Sequence, residues 1–470
     1  MNNRMLSNEL NNYAGKNVEM AGWIQTIRRH GKLIFIDLRD RCGITQLVIL
    51  PNHKEANKIA EILRPEYVIR LNGIVNKRPD KMVNNNIASG KVEIEVAEIK
   101  ILNECLTPPF EIDKDTKNVD EEVRMKYRYL DLRTERMQKN IVLRSEIMNF
   151  VRYTLHNNGF TEIETPYITK GTPEGSREYL VPSRLHAGEF YVLPQSPQQF
   201  KQLLMVSGIE KYFQIARCFR DEDERRDRQP EFTQIDMEMS FVTQDEVMQT
   251  VENLMIDLVK NITPNKNIQN IPFPKITHKE AIDKYHTDHV DLRKNKNDKN
   301  ELSFCWVTDF PLFDYSKTEK KLVSSHHPFT MPNENDIKLL DTNPEKVRAI
   351  AYDLILNGDE IWGGSIRIHK RDLQNKIFKV LGLSQKEINE RFGHMLNAFE
   401  YGCPPHGGIA AGFDRLVMIL ASEPNIREVI AFPKTGDARD LMMGAPSKLS
   451  PSILKENNIE LSKNKHYKKY

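Results

Sequence analysis

Residues Arg217–Phe241 read RCFRDEDERRDRQPEFTQIDMEMSF. In the second half of this stretch Ile235, Met237, Met239 and Phe241 alternate with Gln234, Asp236, Glu238 and Ser240, the period-two pattern of a half-buried strand. One face is expected to pack on a core, and the other to turn an amide and two carboxylates toward a cavity. Upstream, Arg220 shares the parity of Gln214, Ala216 and Cys218, small or polar neighbours that leave room for a ligand. Asp221–Gln229 is longer than a hairpin turn requires, and such connections are often binding loops. A solvated surface hairpin would have the same composition, so the order of the residues must decide.

That order, FRxE followed by a charged loop and a strand carrying an aromatic, resembles the second signature motif of the class II aminoacyl-tRNA synthetases. In the form FRDEDxRxDRQPEFTQIDxE it is similar to the aspartyl enzymes of bacterial type. The resemblance implies an α+β protein, with an N-terminal OB-fold barrel and a class II catalytic domain built on an antiparallel sheet flanked by helices.

A chain of 470 residues exceeds one ordinary core and suggests two or three domains. With 39% apolar and 29% charged residues the composition is that of a globular protein. The net charge of +2 conceals 68 basic residues, so a nucleic-acid footprint has to be local. Cys42, Cys105, Cys218, Cys305 and Cys403 are scattered without a C-x-x-C pair, which argues for reduced thiols and against a zinc ribbon. The start MNNRMLSNEL lacks an apolar signal core and no run reaches the length of a membrane span, so a cytoplasmic protein without membrane attachment is expected.

Short strands with turn residues between them fill residues 1–105, and five strands in that length suit a small closed barrel. Arg28, Arg29, His30 and Lys32 precede Phe35, and cations beside a ring suit single-stranded nucleic acid. A core Phe beside a solvated turn fits the pattern equally. Residues 106–130, with a Pro pair and many charges, read as a linker, 131–430 as the catalytic domain and 431–470 as a C-terminal extension. Met137, Ile141, Met148, Val151 and Leu155 mark one helix face, and Asn157-Asn158-Gly159 is a stop signal. Gly159–Pro166, GFTEIETP, matches the first class II motif, whose helix and strand imply a homodimer. The third motif is matched by HGGIAAGFDR, in which Gly408, Ala410 and Gly412 permit close backbone approach and Arg415 opens an apolar helix. Between the second and third motifs the bacterial-type enzymes carry a large inserted domain, where this chain has only a short polar link, 294–300. Trp362 stands where the family usually has a glycine.

The resemblance covers nearly the whole chain, apart from that insertion and the basic tail after about Leu461. It implies ATP-dependent activation of L-aspartate and its transfer to tRNA(Asp), with tRNA(Asn) as a second candidate acceptor. Glu174, Ser196, Gln198, Lys201, Arg220, Asp236, His326 and Arg367 match aspartate-binding positions. Arg220, Glu222, Gln229, Glu360, Gly412, Phe413, Asp414 and Arg415 match ATP-binding positions, and Arg220 and Arg415 are the implied catalytic pair. Asp353 and Glu360 supply hard oxygens of the kind Mg²⁺ on a nucleotide requires. Arg367 is expected to clamp the second carboxylate with two parallel hydrogen bonds, Asp236 to orient the cations, and His326 to close over the ligand. Glu360 and Arg367 lie seven apart, on opposite faces of an unbroken strand, so a bulge at Gly363-Gly364 is expected to restore a common face.

On the barrel, Arg28, His30, Phe35, Gln46, Lys81 and Glu93 match anticodon-contacting positions. In the resembled family a histidine at the position of His30 accompanies charging of both tRNAs. Lys81 points the other way, standing where that form often has glycine. Three alternatives share part of the pattern. Asparaginyl and lysyl synthetases share the scaffold, and the Lys201/Arg367 pair argues against both. An ATP-dependent asparagine synthetase of the same catalytic fold would not need the barrel. A non-catalytic RNA-binding relative should have lost a motif arginine, yet Arg220 and Arg415 are present.

Overall fold

Five strands, Asn17–His30, Leu33–Asp40, Gly43–Ile49, Val68–Lys77 and Val92–Asn103, close into a barrel in a computed structural model of the chain, which describes residues 4–171 and 175–461. Around the barrel the order is first, second, third, fifth, fourth, and only the third–fifth contact is parallel. Alternation assigns each strand's faces: Ile34, Ile36 and Leu38 fill the interior while Phe35, between them, stands half-exposed on the outside. The ring of Phe35 is therefore a surface group and no part of the barrel core.

The chain divides into two compact units, Met1–Arg136 and Met137–Tyr470. Residues 106–130, expected as a linker, fall within the first and are partly folded. Glu121–Lys126 is helical, and Arg124 and Arg128 both pair with the fully buried Asp131, at 3.1 and 2.6 Å. The Asp120 side chain caps that short helix by accepting from the Val123 amide.

In the second unit eight strands form one sheet, in the order Lys275–Thr277, Phe304–Thr308, Ala351–Leu356, Asp359–Ile366, His406–Gly412, Glu231–Ser240, Lys211–Phe219, Thr161–Glu162. Its interior is antiparallel as expected, but the outermost pair at each edge is parallel, so the sheet is mixed. The helices Glu135–Asn157, Gln244–Ile262 and Phe413–Leu420 cover one face, burying Val151, Leu254 and Leu416 against Ile235, Met237 and Met239. Gly159, at φ +80°, takes the left-handed turn that follows the first of these helices. Trp362 joins the same core and is fully buried, so the residue standing in place of a family glycine points away from the cavity.

Two expectations fail here. Phe241 does not continue the apolar face of Glu231–Ser240: it follows the strand, at φ +58°, and is 65% exposed. The strand Asp359–Ile366 also runs in regular register through both glycines, with Gly363 opposite Asp353 and Gly364 opposite Tyr352. The break lies earlier, where Trp362 pairs with Leu354 but Glu360 with Ile355, leaving Ile361 as the extra residue. That bulge brings Glu360 to the face of Gly363, beside Asp353.

Candidate active site

The opposite face of the sheet forms the floor of a cavity of about 590 Å³. Ser196, Gln198, Lys201, Arg220, Glu222, Gln229, Asp236, His326, Asp353, Glu360, Arg367, Gly412, Asp414 and Arg415 all line it, drawn from segments more than 200 residues apart. Phe413 lies in the core instead, and Glu174 lies outside the described residues.

At one end are two buried cations. Lys201, from the helix Gln198–Val206, sits 2.6 Å from Asp236 Oδ1 and 3.2 Å from Glu238 Oε2. Arg367 donates from Nε and Nη2 to the two oxygens of Glu238, at 2.9 and 3.2 Å, and from Nη1 to Ser365 and His327. Four of its five N–H groups are thus engaged, so the fork expected to clamp a ligand is held by Glu238. Asp236 holds Lys201; the carboxylate that orients Arg367 is Glu238. Burial alone would raise Glu238, but Arg367 and Lys201 outweigh it and hold the carboxyl below its ordinary range. Burial raises the pKa of Asp236 despite Lys201. Gly408 makes this possible: a Cβ there would lie 1.8 Å from Glu238 Oε2.

At the centre Arg220 stacks over the Phe232 ring, 5.1 Å from its centroid. Its Nε is buried without a hydrogen-bond partner, and among the described residues it makes no ion pair. A guanidinium held by a ring and left without a carboxylate is ready to meet an anion. At the far end Arg415, in the first turn of Phe413–Leu420, pairs with Asp227 at 2.9 Å and donates to the Glu360 carbonyl. Asp414, by contrast, has both oxygens occupied, by Arg144 at 2.6 Å and the Thr233 amide at 2.8 Å.

Asp353 and Glu360 converge beside Gly363, where a Cβ would stand 3.1 and 2.9 Å from their oxygens. Burial and the neighbouring Asp353 charge raise the pKa of Glu360. Two crowded, largely buried carboxylates are suited to a hard divalent cation. His326 places Nε2 3.2 Å from Asp353 Oδ1, so it belongs to this pair and not to the Arg367 end. Burial would lower its pKa, but Asp353 outweighs that and raises it. The imidazole touching Arg367 is His327, which burial and that cation hold neutral.

Comparison with known proteins decides the family. The model for class II tRNA synthetases (D, K and N) matches residues 120–436 and that for the OB-fold nucleic acid binding domain residues 18–102. The chain belongs to the class II tRNA synthetases. An aspartate–tRNA(Asp/Asn) ligase of Rubrobacter xylanophilus is 42% identical over 570 aligned positions, spanning 95% of this chain and 95% of that protein. An aspartate–tRNA ligase of Staphylococcus epidermidis is 40% identical over 575, spanning 96% and 97%. Alignments longer than the 470 residues of this synthetase are what an inserted segment absent here requires. Asparaginyl-tRNA synthetase of Pyrococcus horikoshii superposes with a TM-score of 0.74 at 22% identity, covering 96% of this chain and all of that one, and shares its fold. The synthetase is thus a ligase whose family uses an amino acid, ATP and tRNA. Among the described residues no helix is long and apolar enough to cross a membrane.

Several partners in this synthetase were hidden from local sequence. Gln229 accepts from the Lys434 amide at 2.7 Å and donates to the Lys434 carbonyl and to Glu224, so its amide ties the charged loop to a distant segment. Glu222 is held by Arg228 at 3.1 Å and by Ser176. Burial pushes the Glu224 carboxyl up to about 7. The folded chain therefore holds more proton at Glu224 than the unfolded chain between about pH 4.5 and 7, and stability falls as pH rises through that window. Glu224→Gln should remove this slope, worth about 1 kcal/mol for a half-buried group, as read by thermal unfolding at pH 5 and 7.5. Identical pH dependence in both proteins would contradict it.

Of the residues expected to meet an anticodon, Arg28, His30, Phe35, Gln46 and Glu93 share the outer wall of the barrel. Phe35 and His30 pack edge to face at 5.9 Å, Gln46 donates to Glu93 at 2.9 Å, and Arg28 pairs with Asp37 at 2.8 Å. Lys81 lies in the exposed turn Asp80–Met82.

Proposed function

We propose that the chain is an aspartate–tRNA ligase that activates L-aspartate with ATP and esterifies it to tRNA(Asp), with tRNA(Asn) as a second acceptor. The observation that carries this reading is the pair of buried cations, Lys201 and Arg367, beside the unpaired Arg220. A second carboxylate can accept from the one Arg367 N–H that Glu238, Ser365 and His327 leave open, whereas the amide of asparagine brings no charge to that donor and can turn its NH₂ against it.

In the first step the α-carboxylate oxygen forms a bond to the α-phosphorus of ATP while the bond to pyrophosphate breaks. Two anions must be brought together, so positioning and electrostatics supply the catalysis without a dedicated base. Arg220 faces both the reacting carboxylate and the α-phosphate, Glu222 and Gln229 bound the adenine end, and Arg415 takes the γ-phosphate. Asp353 and Glu360 would hold Mg²⁺, which neutralises phosphate charge when bound. In the second step the terminal ribose hydroxyl of tRNA attacks the acyl carbon and AMP leaves.

The barrel binds the anticodon through Phe35, Gln46 and Glu93. Phe35→Ala should spare aspartate activation and weaken tRNA charging by roughly 1–3 kcal/mol, the value of one base stacked on a ring. Loss of activation in that variant would contradict the assignment. His30 lies against Phe35 and can offer a donor or acceptor to either of two bases, whereas leucine would exclude by shape. Purified transcripts of both tRNAs should accept aspartate from wild type, and His30→Leu should lose the asparagine transcript first. The helix Glu135–Asn157 exposes Val142 and Tyr153, which supports a homodimer through its outer face. Five cysteines, none in a disulfide, suit the reducing cytoplasm.

A further inference from the structure

Behind the amino-acid end of the cavity four groups form a hydrogen-bonded file. His406 Nδ1 lies 2.8 Å from the Pro404 carbonyl, its Nε2 lies 3.2 Å from Gln202 Nε2, and Gln202 Oε1 accepts from Gln198 Nε2 at 3.1 Å. Gln202 and His406 are fully buried, and Gln198 lines the cavity. A carbonyl oxygen can only accept, so Nδ1 of His406 carries the proton. Burial lowers the pKa of this imidazole, which keeps the ring neutral and makes its Nε2 an acceptor. Gln202 must then turn its NH₂ to the ring and its carbonyl to Gln198, and Gln198 must turn its NH₂ to Gln202. The Gln198 carbonyl oxygen is left for the cavity, without a hydrogen-bond partner among the described residues.

We propose that Gln202 and His406 are positioning residues that fix the Gln198 carbonyl as the acceptor for the α-ammonium group of the substrate. The proposal rests on reading the cavity as an aspartate site. Both carboxylates of aspartate can only accept, so its ammonium is the one donor an acceptor-only atom can meet. A flipped Gln198 would set NH₂ against that ammonium. Neither Gln202 nor His406 touches the substrate; they act by forbidding the flip.

The test compares the full-length wild type with Gln202→Met and Gln202→Glu in pyrophosphate exchange. Three constants are measured: KM for aspartate, KM for ATP, and Ki for succinate, which keeps both carboxylates and lacks the ammonium. Gln202→Met should raise the aspartate KM roughly tenfold or more, since a hydrogen bond to a charged group is lost, while the other two constants stay within about twofold. Gln202→Glu still accepts from Gln198 and should keep the aspartate KM within about threefold of wild type. A parallel rise in the succinate Ki would show a packing defect and overturn the proposal. So would an unchanged aspartate KM in Gln202→Met, or one raised about tenfold in Gln202→Glu. Wild type without aspartate-dependent exchange would instead overturn the substrate assignment beneath it, a result distinct from these.

Discussion

Arg220→Ala should lower the rate of pyrophosphate exchange about 10²- to 10³-fold while leaving the protein folded, because it removes one preorganised charge facing the reacting phosphate. The unusual feature of Arg220 is what it lacks. Lys201, Arg367 and Arg415 each have a carboxylate within 3.2 Å, whereas Arg220 leans on the ring of Phe232. Truncation therefore breaks no ion pair and loses about 0.5–1 kcal/mol of cation–π contact, too little to unfold a domain of this size. Measuring exchange beside thermal unfolding separates the two effects. Near-normal exchange would show that the reacting phosphate lies elsewhere.

Arg367→Leu should differ from Arg220→Ala by destabilising the fold as well as impairing the use of aspartate. Its side chain is 2% exposed and carries both oxygens of Glu238, which is itself fully buried. Removing one member of such a pair leaves an uncompensated charge and should cost about 3–5 kcal/mol of stability. The aspartate KM should rise far more than the ATP KM, because the cation that meets the second carboxylate is gone. Arg367→Lys keeps the charge but cannot reproduce the planar fork, so it should recover part of the stability and little of the aspartate affinity. Equal rises in the two Michaelis constants of a folded Arg367 variant would make the residue purely structural.

The floor of the site was legible because a strand has an invariant period. Once Ile235, Met237 and Met239 were given to the core, Gln234, Asp236 and Glu238 had to share the opposite face, as they do. Partner choice was not legible. Asp236 and Glu238 have the same chemistry two residues apart, and which of them meets Arg367 depends on the register against His406–Gly412, where Gly408 opens space beside Glu238. The bulge falls at Ile361 and not at Gly363-Gly364 for a related reason. Glycine permits a bulge, but here Gly363 and Gly364 serve close approach, the first to two carboxylates and the second to the Gly408 carbonyl, while the strand breaks before Trp362. Gln229 is tied to Lys434, 205 residues away, and no local pattern reports such a contact. The folded pieces within 106–130 escaped because Arg124, Arg128 and Asp131 look solvated until their mutual burial is seen.

Lys201 and Arg367 together should select a substrate with a second carboxylate. Pyrophosphate exchange by the wild-type protein, run with each amino acid separately at saturating ATP, tests it without any tRNA. Aspartate should support exchange, with asparagine and lysine at background. Exchange with asparagine or lysine at a rate equal to that with aspartate would contradict the account.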